Sequence, residues 1–138
     1  MAGLTVDAGA LIAIDRGDVR AFEYLAVARR RRVPIVVPAP VVAQAWRSAR
    51  NARMAQFLAL AFVEDLTYPL ATKIGLLLAA SATSDVVDGA VIVGAAARGD
   101  DVLTSDPEDL SRLAAAAPRA GLSRPGRILS IEALPGRR

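Results

Sequence analysis

Residues 86–110 read VVDGAVIVGAAARGDDVLTSDPEDL, and this stretch decides the fold. Its first half is helical in composition, predicting a long helix from Asp85 to Ala97 with Gly99 as the stop signal. A short apolar strand follows at Asp101 to Thr104. Asp106-Pro107-Glu108-Asp109 then has the chemistry of a helix start, with Asp as N-cap, Pro at the first helical position and acids in the first turn. A helix, a short buried strand and a second helix in direct succession are the mark of an α/β domain.

The same alternation extends in both directions. In LTVDAGALIAID (residues 4–15), Leu4-Thr5-Val6 reads as a strand and Ala8 to Ile14 as a helix, with Asp7 at the junction. A helix from Val19 to Arg31 leads to the strand Ile35-Val36-Val37. Pro40 suits the first turn of a third helix, expected to carry Gln44, Trp46, Arg47 and Arg50. Met54 to Leu60 reads as a helix, Ala61 to Leu66 as a strand, Pro69 to Leu78 as a helix and Arg127 to Ile131 as the last strand. This order predicts a three-layer α/β/α domain with a mainly parallel sheet of four to five strands, covered on both faces. Residues 1–134 form a single domain in this reading, and residues 135–138 a mobile tail. Because ligands bind outside the carboxyl ends of such strands, Asp7 and Asp106 fall on one rim, and Asp88, one turn into its helix, projects there too.

At 138 residues the chain has the size of one domain. Apolar residues make up 54% of it and the mean hydropathy is +0.37, a surplus that predicts an apolar interface. Lys73 and Asp88 break the longest apolar runs, so no membrane span is expected. Asp7 lies within the first apolar segment and no basic stretch precedes it, which argues against a signal peptide and for a cytoplasmic location. The net charge of +3 comes almost wholly from arginine, a residue whose planar fork suits phosphate.

The chain has neither histidine nor cysteine. Zinc sites are built mainly from those residues, whereas carboxylate oxygens suit Mg²⁺ or Mn²⁺. The usual general base is missing as well, so hydrolysis would use metal-activated water. Asp7, Asp85 and Asp106 each have a local explanation as helix caps or first-turn acids. Asp88 is different, because it interrupts an apolar helical stretch where a carboxylate is costly without a cation or hydrogen-bond partners. Asp85 and Asp88 are spaced i, i+3 and could share that cation.

The order of Asp7 in LTVDAGALIAID, then Asp88 and Asp106 in VVDGAVIVGAAARGDDVLTSDPEDL, resembles the PIN-domain nucleases, in particular the VapC toxins of type II toxin-antitoxin systems. The resemblance covers nearly the whole chain. It implies a PIN-like fold and a Mg²⁺- or Mn²⁺-dependent endoribonuclease, with Asp7, Asp88 and Asp106 matching three of the family's four acids. Thr104 and Ser105 match the turn where the family places a supporting hydroxyl. The fourth acid is usually a glutamate on the helix after strand two, where this chain has Gln44 in VVAQAWR. Asp85 is the expected replacement for the lost charge. The resemblance further implies a homodimer inhibited by a VapB-like antitoxin, with operator DNA contacted only through that complex.

Along the third predicted helix, Gln44, Arg47 and Arg50 follow i, i+3, i+6, so Arg47 and Arg50 are expected to extend the metal rim into a phosphate-binding stripe. Trp46 and Phe57 are assigned to packing, since aromatics are too few for a stacking-based RNA binder. Two other readings stand beside the nuclease. One is a catalytically silent PIN-like module that binds RNA or protein, motivated by Gln44. The other is a phospho-acceptor domain using Asp7, which Lys73 lies too early in the chain to support.

Overall fold

The computed structural model describes residues 2–132. In chain order the elements are β1 (Leu4–Val6), α1 (Ala8–Asp15), α2 (Val19–Arg30), β2 (Ile35–Pro38), α3 (Ala39–Ala45), α4 (Ala52–Leu60), β3 (Phe62–Glu64), α5 (Tyr68–Ser81), α6 (Val86–Arg98), β4 (Asp101–Thr104), α7 (Pro107–Ala116) and β5 (Ile128–Ser130), with a 3-10 turn at Ala117–Ala120. The five strands form one sheet in the order β3-β2-β1-β4-β5, and every pairing is parallel. Thr5 of β1 lies opposite Val36 on one side and Val102 on the other.

Leu4, Thr5 and Val6 are all buried, which requires cover on both faces of β1, and the one polar side chain among them, Thr5, donates to Asp100. Strand order reverses at β1 and β4: the chain builds outward to β2 and β3, then crosses to add β4 and β5. The crevice at such a reversal is where open α/β sheets bind ligands. Among the fully buried side chains are Leu11, Ile14, Leu25, Met54, Leu77, Ile92, Leu103 and Leu110, drawn from the helices and the central strands alike.

Helix α6 is buried continuously from Gly89 to Ala96. Small residues allow that depth: a Cβ on Gly89 would sit 2.9 Å from Ile74 Cγ2 of α5, and one on Gly94 would sit 2.5 Å from Glu64 Oε1. At the far end of α6, Arg98 donates to Asp100 Oδ2 (2.8 Å), Glu64 Oε2 (2.6 Å) and Thr5 Oγ1 (3.0 Å). Asp100, only 1% exposed, also accepts from the Gly3 backbone and the Thr5 hydroxyl. This network pins the last turn of α6 to β1 and β3. Among the described residues no single helix is long and apolar enough to cross a membrane, and burial accounts for the hydropathy of α6.

The structure corrects several boundaries. The third helix stops at Ala45, and Trp46 is extended (ψ 119°), so Arg47 and Arg50 do not continue a helical stripe from Gln44. Competing hydrogen bonds explain the break. The Asn51 side-chain oxygen accepts from the backbones of Arg47 and Ser48, while the Arg47 guanidinium turns back onto the carbonyls of Ala43 and Trp46. Asp85 caps α6, so that helix begins at Val86. The strands expected at residues 61–66 and 127–131 shorten to Phe62–Glu64 and Ile128–Ser130. Phe57 is buried as expected, but Trp46 is 37% exposed. The proposed tail at residues 135–138 lies outside the described residues.

Candidate active site

Three helices begin at the carboxyl rim of the sheet with an aspartate cap: Asp7 on α1, Asp85 on α6 and Asp106 on α7. The positive ends of these helices favour carboxylates, so the local explanations read from the sequence hold for all three. Their convergence on one rim goes beyond capping, and follows from β1 and β4 being sheet neighbours.

Asp7 is 4% exposed. Its Oδ1 accepts from the Ala10 backbone at 2.8 Å, and its Oδ2 accepts the Thr104 hydroxyl. Thr104 Oγ1 in turn accepts the Asp106 backbone N–H at 2.8 Å. Burial drives the Asp7 carboxyl above its ordinary range, opposed by the Thr104, Ala10 and Ser105 donors and reinforced by the charge of Asp106. Gly9 makes room for this turn, because a Cβ there would stand 1.7 Å from Ser105 Oγ.

Asp88 occupies the third residue of α6, and its backbone N–H donates to Asp85 Oδ1 at 3.0 Å. Burial, then the charges of Asp85, Asp7 and Asp109, push its carboxyl up to about 7. Asp109, not singled out from the sequence, shares a hydrogen bond with Asp106 that raises its own pKa and places it in the same field. Its position three residues after Asp106 in the first turn of α7 was the available signal, and ordinary helix-start chemistry masked it. Gln44 is exposed on α3 and its amide has no hydrogen-bond partner among the described residues.

The acids therefore form a mutually repelling group with hard oxygen donors. No three of them, among the described residues, sit close enough to enclose a cation unaided. The expected set of Asp7, Asp88 and Asp106 is not closed, because Asp7 is engaged through both oxygens and Asp106 turns toward the Asp109 backbone. The donors still fit Mg²⁺ or Mn²⁺. Mg²⁺ usually keeps several waters and takes only one or two carboxylates, and a cation would relieve the repulsion that raises Asp88.

Asp85, Asp88 and Asp109 line a cleft of about 450 Å³ bounded by the end of α5, the start of α6 and α7. A second cavity, about 370 Å³, lies by Gly3, Leu4 and Tyr24 at the opposite, amino end of the strands, away from the acids.

No protein-family model and no curated protein matches this sequence. In structure, the chain is similar to one in the structure of FitAB bound to the IR36 DNA fragment, with a TM-score of 0.67 and 13% identity over 98% of this chain and 99% of that one. The fold is PIN-like. At that identity the likeness speaks to architecture, and activity has to be argued from the residues.

Proposed function

We propose that this chain is a metal-dependent endoribonuclease, the toxin of a type II toxin-antitoxin pair similar to VapBC, working in the cytoplasm. The observation that carries the reading is the convergence of Asp7, Asp88 and Asp106, with Asp85 and Asp109, at the strand-order reversal of a PIN-like sheet. Asp7, Asp88 and Asp106 would hold Mg²⁺ or Mn²⁺, with Asp85 supplying the charge that Gln44 lacks. When bound, the ion supplies orientation of the phosphodiester and a lowered pKa for the attacking water.

The chain's own groups prepare the rest. Thr104 and Ala10 fix the direction of both Asp7 oxygens, so that carboxylate presents one geometry. Asp106 caps α7 and Asp88 stands in the first turn of α6, which brings both acids to the same rim. Exposed Leu60, Phe62, Tyr68 and Leu76 supply apolar surface for a second copy or an antitoxin. The similar chain comes from a complex on DNA, which supports operator contact through a partner.

The test is cleavage of total cellular RNA by purified protein with Mg²⁺ or Mn²⁺, against EDTA and Asp88→Ala controls. Discrete fragments lost in both controls support the reading. Absence of cleavage by folded, antitoxin-free protein favours the silent binding module, the second reading, which the unpartnered Gln44 amide supports.

A further inference from the structure

The cleft that carries Asp85, Asp88 and Asp109 is also lined by two arginines, Arg112 of α7 and Arg119 of the 3-10 turn. We propose that Arg112 and Arg119 hold the phosphate backbone of a single-stranded RNA, so that the strand runs between α6 and α7 and not along residues 47–50. This rests on the nuclease reading above and adds the path of the substrate.

Both arginines are available for that task. Arg112 pairs with Asp109 at 3.3 Å, but the two side chains are 76% and 54% exposed, so solvent screens the pair and an incoming phosphate can displace it. Arg119 donates one N–H to the Ala80 carbonyl at 3.1 Å. That contact anchors the guanidinium at the cleft edge and leaves other donors of its planar fork for phosphate oxygens. Arg47, by contrast, is turned onto the carbonyls that end α3, and neither it nor Arg50 lines the cleft.

The charge layout also fits the chemistry. A phosphodiester approaching Asp88 is repelled unless cations flank it on both sides. A divalent ion on the acids of α6 and two guanidiniums from α7 and the 3-10 turn would meet that need within a volume typical of small-ligand sites.

The experiment measures binding directly, so it does not depend on turnover. Fluorescence anisotropy of a labelled single-stranded RNA would be followed across a salt series with the full chain and Ca²⁺, RNA integrity being checked on gels. Arg112→Ala and Arg119→Ala should each weaken binding about 5- to 20-fold and each reduce the slope of log K against log salt by about 0.7. The lysine variants should keep the slope while losing part of the affinity. An Arg47→Ala, Arg50→Ala double variant should match wild type. Circular dichroism and Tm separate a structural role for Arg119, which would lower Tm and leave the slope unchanged. Wild-type protein that binds no RNA at low salt, or arginine variants with unchanged affinity and slope, overturns the proposal. RNA cleavage that persists alongside such unaltered variants would overturn this substrate path while leaving the nuclease reading in place.

Discussion

Thr104 links Asp7 to Asp106: its hydroxyl donates to Asp7 Oδ2 while its oxygen accepts the Asp106 backbone N–H at 2.8 Å. One side chain thus orients a buried carboxylate and fixes the turn that presents the next. Thr104→Val keeps the shape and removes both bonds. We expect a stability loss of about 1–3 kcal/mol and a fall in metal-dependent cleavage of about 10- to 100-fold, with Thr104→Ser restoring most of both. Urea unfolding together with single-turnover cleavage checks this, and wild-type activity in the valine variant would remove Thr104 from the site.

Asp88 gives a pH prediction. Its carboxyl is raised from 3.8 to about 7 in the folded protein, so the folded state binds a proton more tightly than the unfolded chain does. The charged form therefore destabilises the fold, and stability is lost as pH rises from about 4 through 7. In EDTA, Asp88→Asn should melt above wild type at pH 8 and near it at pH 4. Mg²⁺ at pH 8 should raise the Tm of wild type and leave the variant unmoved. A wild-type Tm indifferent to both pH and metal would contradict the repulsive field described for this rim.

Gln44 and Asp85 test the proposed compensation of charge at this site. Gln44→Glu should tighten metal binding and raise cleavage several-fold at limiting metal. Asp85→Ala should lose about 0.5–2 kcal/mol through the α6 cap and, if Asp85 supplies the missing charge, most of the activity. Calorimetric metal titration of both variants reads this directly. Intact metal-dependent cleavage by Asp85→Ala would end the compensation idea.

Gly9 is held to glycine by Ser105, whose Oγ would lie 1.7 Å from an added Cβ. Gly9→Ala must displace the turn carrying Asp106, at about 1–3 kcal/mol, and should lower activity more than its stability loss explains. Pairing it with Ser105→Gly should recover stability in thermal melts. No recovery would mean the clash lies elsewhere.

Arg98 carries weight away from the rim. Its removal takes the paired cation from buried Asp100, 1% exposed, and from Glu64, whose Oε1 already lacks a partner. Arg98→Ala should cost about 3–5 kcal/mol by denaturant unfolding while leaving metal affinity per folded molecule unchanged.

Much of this was legible in the sequence because short apolar strands flanked by cap residues leave few alternatives. Leu4-Thr5-Val6 and Asp101 to Thr104 are observed strands, and Asp106-Pro107 opens a helix as its chemistry demands. The early end of α3 was not legible, since it depends on Asn51 reaching back to residues 47 and 48, a contact that local propensity does not encode. Asp109 was hidden by the opposite difficulty: its helix-start role was sufficient explanation until Asp106 and Asp88 were seen beside it. The arginines that share the cleft come from α7 and the turn after it, and only the tertiary fold brings them into one lining with Asp85 and Asp88 of α6.

The central pairing of β1 with β4 has a consequence for synthesis. Asp7 and Thr104, hydrogen-bonded in the folded chain, are 97 positions apart in sequence. Translation delivers β1, α1, β2 and β3 long before the strand that must lie beside β1, and closing so distant a contact is a late and slow event. An unfinished polypeptide lacking β4 has Asp7 but neither Thr104 to orient it nor Asp106 to face it. The rim that joins Asp7 to Thr104 and Asp106 is therefore assembled only after β4 has been made, however early β1 is delivered.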